Sequence, residues 1–195
     1  MWLEWLGLQS PSSWPATIAL SLTWLAMMLV LSPLADRLAS ALVSEPPRLE
    51  AFRVIQRGWG SLAVGIAVSW LLGGFIEEIA LRGIVVRHMQ TRLAPWIGSF
   101  SAAIVAVLLA ALVAGIVHLY QGARGGLIVA QLSVLFGMLY VVSGYNLWTA
   151  IICHGCYDTI AFVRFARRSS KYSDLSGESG SGDVGPTHRA DGAGR

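Results

Sequence analysis

Charge is the scarcest resource in this sequence. Asp, Glu, Lys and Arg make up 13% of its 195 residues, where a soluble domain carries about 25%. A monomer so poor in charge lacks the polar surface that water demands, which excludes an ordinary soluble domain. Cysteine is nearly absent as well. Cys153 and Cys156 are the whole supply, so there is no disulfide framework. Lys and Arg are missing from Met1–Pro15, and no small-residue cleavage site clearly follows the first apolar run, so that run does not read as a cleaved signal peptide. The net charge is +3 and the pI near 9.2. The basic residues nevertheless form no stripe or dense patch, which argues against a nucleic-acid partner.

Apolar residues are abundant instead, at 55% of the chain with a mean hydropathy of +0.61. A membrane-spanning helix needs roughly 20 mainly apolar residues, and five runs approach or reach that length. They are Ala16–Leu34; Gly58 through Ile76, resuming at Gly83–Val86; Ile97–Tyr120; Gly125–Val142; and Asn146–Phe165. Helices satisfy their own backbone groups in lipid, and the runs lack the strict alternation of a membrane barrel. The expected fold is therefore all-α: a polytopic integral membrane protein with about five or more transmembrane helices and its site between them. Asp36–Arg57, with Pro46 and Pro47, reads as an extramembrane connection. Trp14, Trp59, Trp96, Tyr120, Tyr145 and Trp148 fall near the proposed span ends, as interfacial aromatics do.

Residues 1–168 form the expected transmembrane domain, with residues 71–165 as its polar core. Residues 169–195 are rich in Gly, Ser and Asp, lack an apolar face, and read as a disordered tail. His188 lies in that tail and is given no role. Basic residues favour the cytoplasmic side. A cytoplasmic C-terminus places Arg37, Arg48, Arg53, Arg57, Arg124, Arg164, Arg167, Arg168 and Lys171 inside, against Arg82, Arg87 and Arg92 outside. If the second helix continues past Glu78, Arg82 lies in the bilayer and leaves that count.

Charged groups inside a bilayer cost roughly 2.5–3.5 kcal/mol each on insertion scales, so clusters of them mark function. Three apolar segments carry one each: GGFIEEIALRG (Gly73–Gly83), GIVHLYQG (Gly115–Gly122) and CHGCYD (Cys153–Asp158). Glu78 and Arg82 are spaced i,i+4 and can pair. Glu77 points about 100° away on an α-helix and stays available as a general base. The alternative for this cluster is the polar end of a helix facing headgroups, and for His118 an interfacial imidazole held by a backbone carbonyl. His154 and Asp158 are again i,i+4, so the carboxylate can fix the imidazole's tautomer, share a ligand site with it, or simply join helices. Two Glu, two His, one Asp and one Arg across three helices supply the parts for hydrolysis: a base or metal-activated water, and groups for an oxyanion. Cys153 and Cys156 bracket His154. Without a second Cys pair or a βαβ pattern they read as small core residues rather than a zinc or redox site.

In this order, the three clusters resemble the motifs of the CAAX protease and bacteriocin-processing (CPBP) family of intramembrane proteases, also called the type II CAAX prenyl endopeptidase or Abi family. Its E-E-x-x-x-R motif is met by Glu77, Glu78 and Arg82, followed by Gly83. Its F-x-x-x-H motif is met at His118, with Ala114 in the aromatic's place. Its H-x-x-x-N/D motif is met by His154 and Asp158. The resemblance covers roughly Leu71–Phe165 and implies an intramembrane endopeptidase. Glu77 and His118 would activate water, His154 and Asp158 would bind the oxyanion or hold the catalytic group, and Glu78 and Arg82 would support them. It further implies a peptide or protein substrate, prenylated or bacteriocin-like, met at the lipid bilayer of the cell membrane. Two chemistries remain open under it: a metalloprotease using a divalent metal such as zinc on Glu77, His118 and His154, or a metal-free glutamate mechanism. The rival functions are a non-catalytic scaffold or self-immunity protein of the same fold, and a proton-coupled transporter using the buried Glu and His as a relay.

Overall fold

The computed structural model describes residues 2–178, with side chains for residues 4–167. Every regular element among the described residues is helical. A short α1 (Trp2–Leu6) precedes α2 (Trp14–Leu42), whose first turn is capped by Ser13 and carries Pro15. A 3₁₀ segment, Glu50–Arg57, straps across to α3 (Trp59–Ser69). The same helical run continues without a break through two π-helical stretches, Trp70–Glu77 and Ile79–Val86, into α4 (Arg87–Ile97). Then come α5 (Ser99–Val117), a 3₁₀ turn (His118–Gln121), α6 (Gly122–Val142) and α7 (Leu147–Glu178).

Side-chain size is sorted in the reverse of a soluble protein. On α5 the buried face is Ala102, Ala103, Ala106, Ala110, Ala111, Ala114 and Gly115, with Val107 the one larger member, while Ile104, Leu108, Leu112 and Ile116 point outward. On α2 the polar Thr17 and Ser21 are buried while Ile18, Leu22, Val30 and Leu38 are exposed. In lipid the outside is as apolar as Leu, so helices associate through small residues that let backbones approach. The α5–α6 hairpin shows that mechanism. A Cβ on Gly126 would stand 2.8 Å from the Gly115 carbonyl oxygen, and one on Gly137 2.8 Å from Val107. Among the described residues three helical runs are long and apolar enough to cross a membrane: Trp14–Leu42, Trp59–Ile97 and Ser99–Val142. The last of these folds back on itself as α5 and α6. The protein is an all-α integral membrane protein.

The structure departs from the sequence reading in two places. The first helix does not stop at Leu34. It runs on to Leu42, because Asp36 finds Arg124 of α6 at 2.6 Å and the Ala35 carbonyl accepts from Gln131, so the polar turns are tied to the bundle rather than looped away. The connection expected over Asp36–Arg57 is thus confined to the residues after Leu42 and includes the 3₁₀ strap. The described part of α7 ends at Glu178. The rest of the expected tail, residues 179–195, lies outside the described residues.

Candidate active site

The first motif sits where the backbone itself is unusual. From Trp70 to Val86 the chain bonds in the wide π pattern, ending with the Arg87 amide reaching back to the Arg82 carbonyl. Stretches of this kind are rare and tend to mark functional sites. Gly73 and Gly74 bring this wide helix against α7. A Cβ on Gly73 would lie 3.0 Å from Asp158 Oδ2 and 3.4 Å from His154 Nε2, and one on Gly74 would lie 3.5 Å from Gly155 Cα. Across the contact Gly155 returns the favour, with Trp70's indole 2.4 Å from where its Cβ would be. That indole donates to Thr159 Oγ1 at 3.0 Å, which pins the crossing.

The crossing places Glu78 beside His154. Glu78 is fully buried, and its Oε1 accepts from Arg82 at 3.0 Å and from His154 Nδ1 at 2.6 Å. Arg82 is equally buried and donates onward to the Ser133 carbonyl at 3.0 Å and to Ser133 Oγ at 2.8 Å on α6. Removing a charge from lipid or protein interior to leave its partner alone is costly, so this knot ties three helices. Its saturation is incomplete: Glu78 Oε2 and Arg82 Nε are buried without a hydrogen-bond partner. The aromatic ring of Phe136 touches both donors, stacked on His154 at 4.5 Å and 21° and 5.4 Å from the Arg82 guanidinium carbon.

Glu77 and His118 are placed differently. Both line a cavity of about 550 Å³ that His154, Asp158 and Arg82 also edge. Among the described residues Glu77 has no hydrogen-bond or ion-pair partner. His118 donates from Nδ1 to the Ala114 carbonyl at 2.8 Å, which leaves its Nε2 lone pair uncommitted. The bond comes from Ala114's backbone, so the missing aromatic at that position takes nothing from the imidazole's support. His154 Nε2 faces Asp158 Oδ2 at 3.7 Å, an ion-pair distance too long for a hydrogen bond. The group that fixes the His154 tautomer is thus Glu78, 76 positions away, and not Asp158 one turn on. Cys153 is buried, its thiol against Met28 sulfur at 3.9 Å, as a small core residue would be.

The rest of the cavity wall is apolar. Leu49 and Phe52 come from the 3₁₀ strap and its approach, and Phe162 and Phe165 from α7. Phe52 packs on Phe162 at 5.7 Å, Gln56 donates to the Phe165 carbonyl at 3.2 Å, and the Arg48 amide bonds to the Gln121 carbonyl at 2.8 Å. The strap therefore closes one end of the cavity.

A metal was one expectation for Glu77, His118 and His154. Among the described residues no three His, Cys, Asp or Glu side chains come close enough together to hold a metal ion. The three line one cavity, and His154 Nδ1 is held by Glu78. No step below is assigned to a metal. Ser133 and Phe136 went unnoticed in the sequence, since one Ser and one Phe in an apolar run look like ordinary packing.

A polytopic helical membrane protein with a cavity that joins buried carboxylates and imidazoles to an apolar wall is the class these features define. The family model described as type II CAAX prenyl endopeptidase, Rce1-like, matches residues 59–160. The chain belongs to that family, which is a family of CAAX-type proteases, and the match contains all six motif residues from Glu77 to Asp158. No curated protein and no solved structure matches the chain.

Proposed function

We propose that the protein is an intramembrane endopeptidase that hydrolyses peptide bonds of membrane-associated substrates inside this cavity. The observation that carries the reading is the pairing of an unpartnered Glu77 with a His118 whose Nε2 is uncommitted, both on one cavity. In the proposed reaction a water sits between them. His118 Nε2 accepts one of its protons in a hydrogen bond and orients it, while Glu77 removes the other as the oxygen attacks the peptide carbonyl. The tetrahedral oxyanion is met by His154 acting as an imidazolium, with one N–H on Glu78 and the other on the substrate oxygen. Asp158 stands behind that second nitrogen. Glu77 then delivers its proton to the leaving amine, which balances the step without an outside acid.

The apolar wall of Leu49, Phe52, Phe162 and Phe165 supports a substrate that carries an apolar group, prenyl chains and hydrophobic peptides being the classes to try first. Several crossings, with the C-terminus in the cytoplasm, are the proposed topology. Its support is that Arg48, Arg124 and the C-terminal part of α7, with Arg164 and Arg167, gather at the strap end, while Arg82 is buried and drops out of the count.

Purified protein in lipid should cleave members of a mixture of lipidated and unmodified peptides. Glu77→Gln should lower that activity by about 10²- to 10⁴-fold, and His118→Ala should also abolish most of it. Persistence of cleavage in a chelator is expected, and its loss would return the metal mechanism. Full cleavage by Glu77→Gln would remove the site assignment, and an inert wild type whose cellular effect survives Glu77→Gln would favour the scaffold reading.

A further inference from the structure

The motifs assign roles to residues of the π-helical run, of the 3₁₀ turn after α5 and of α7, and none to α6. Yet α6 touches the site twice, one turn apart. Ser133 takes two hydrogen bonds from Arg82, and Phe136 is stacked on His154 while lying under the Arg82 guanidinium. Both residues are almost fully buried, at 4% exposure each.

A single hydrogen bond from His154 Nδ1 to Glu78 fixes one atom of the imidazole but leaves the ring able to rotate about that contact. The direction of Nε2, the nitrogen that edges the cavity, depends on the ring plane. An aromatic face at 4.5 Å and 21° defines a plane, and offset stacking makes it a preferred one. The Arg82 guanidinium over the same ring, 5.4 Å from its centroid, adds a cation–π contact.

We propose that Phe136 is a positioning residue for His154, holding the imidazole plane so that Nε2 faces the substrate carbonyl, with Ser133 anchoring the Arg82 that completes the clamp. This rests on the peptidase reading for its kinetic consequence and on geometry alone for the clamp. Because a misplacement of about 1 Å can cost on the order of 10²-fold in rate, the effect belongs in kcat. Substrate affinity, set by the apolar wall near the strap, should hardly change.

The test compares wild type, Phe136→Met and Phe136→Tyr in lipid, with thermal unfolding recorded for each. Met conserves apolar bulk without a flat face, and Tyr keeps the face. Phe136→Met should lower kcat about 10- to 100-fold with KM within about twofold, and Phe136→Tyr should recover most of the loss. In histidine-labelled protein the His154 ring signals, identified through His154→Gln, should lose the ring-current displacement in Phe136→Met and keep it in Phe136→Tyr, while the His118 signals stay put. A folded Phe136→Met protein with unchanged kcat and unmoved His154 signals would overturn the proposal. Equal losses in kcat and in thermal stability for both variants, with the His154 signals still in place, would reduce Phe136 to packing and overturn it as well. If wild type itself is inert, the peptidase reading fails, and the His154 signals alone decide whether the clamp exists.

Discussion

Glu77 and Glu78 are neighbours in the chain and occupy opposite situations. Glu78 is sealed, holding Arg82 and His154 in a knot that reaches Ser133 on a third helix. Glu77 borders the cavity without a partner among the described residues. A buried carboxylate held by two donors, one of them a guanidinium, is fixed in place by the cost of undoing it. A carboxylate without donors keeps both oxygens available for a substrate or a water. The difference between adjacent residues separates what builds the site from what the proposed reaction uses.

That contrast can be broken from either side. The largest effect is expected on activity from Glu77→Gln, the loss already given, with the unfolding temperature in lipid within a degree or two of wild type. Arg82→Met should invert the pattern. The substitution leaves the buried Glu78 with His154 as its remaining partner. Breaking a buried ion pair costs about 3–5 kcal/mol, so the protein should unfold well below wild type, a shift read by thermal or denaturant unfolding. A folded and stable Arg82→Met would show that the knot holds nothing together. Gly155→Leu should cost about 1–3 kcal/mol, because its side chain must displace Trp70 from the helix crossing. The loss should appear in both stability and cleavage, since the crossing carries Glu78 to His154. The smallest effect is expected at Asp36→Asn. Its pair with Arg124 is half exposed on the Asp side, at 49%, and should be worth less than about 1 kcal/mol. Unfolding temperature and activity should both stay near wild type.

The local part of this architecture was legible from residue spacing. The Glu78–Arg82 pair follows from i,i+4 geometry, and the need for polar groups to face one another inside lipid pointed to the three segments that bear them. The helical class followed from long apolar runs. What spacing could not carry was contact between distant segments: that Glu78 rather than Asp158 takes His154 Nδ1, or that Ser133 and Phe136 complete the knot. Those depend on where α6 and α7 cross the π-helical segment, and that is set by small residues at Gly73, Gly74 and Gly155 whose effect is the absence of bulk. Helix ends were legible only where chemistry changed abruptly. The end of α2 was missed because Asp36 reads as a loop residue until Arg124 is beside it.

The wide turn at Trp70–Val86 has a consequence for how this sequence can vary. A π-helical bond encloses one residue more than an α-helical bond does, so the two π stretches on either side of Glu78 behave as a helix that has absorbed extra contour length without breaking. Spare length of that kind acts as a phase adjuster. It sets the rotational offset between the apolar face that enters at Trp59 and the polar face that leaves at Arg82, independently of both. A residue lost or gained on either side of Glu77 would turn one half of the run against the other, and would exchange which of the two glutamates meets α7. Point substitutions leave that phase untouched, so insertions and deletions here should be the rarer and more damaging changes.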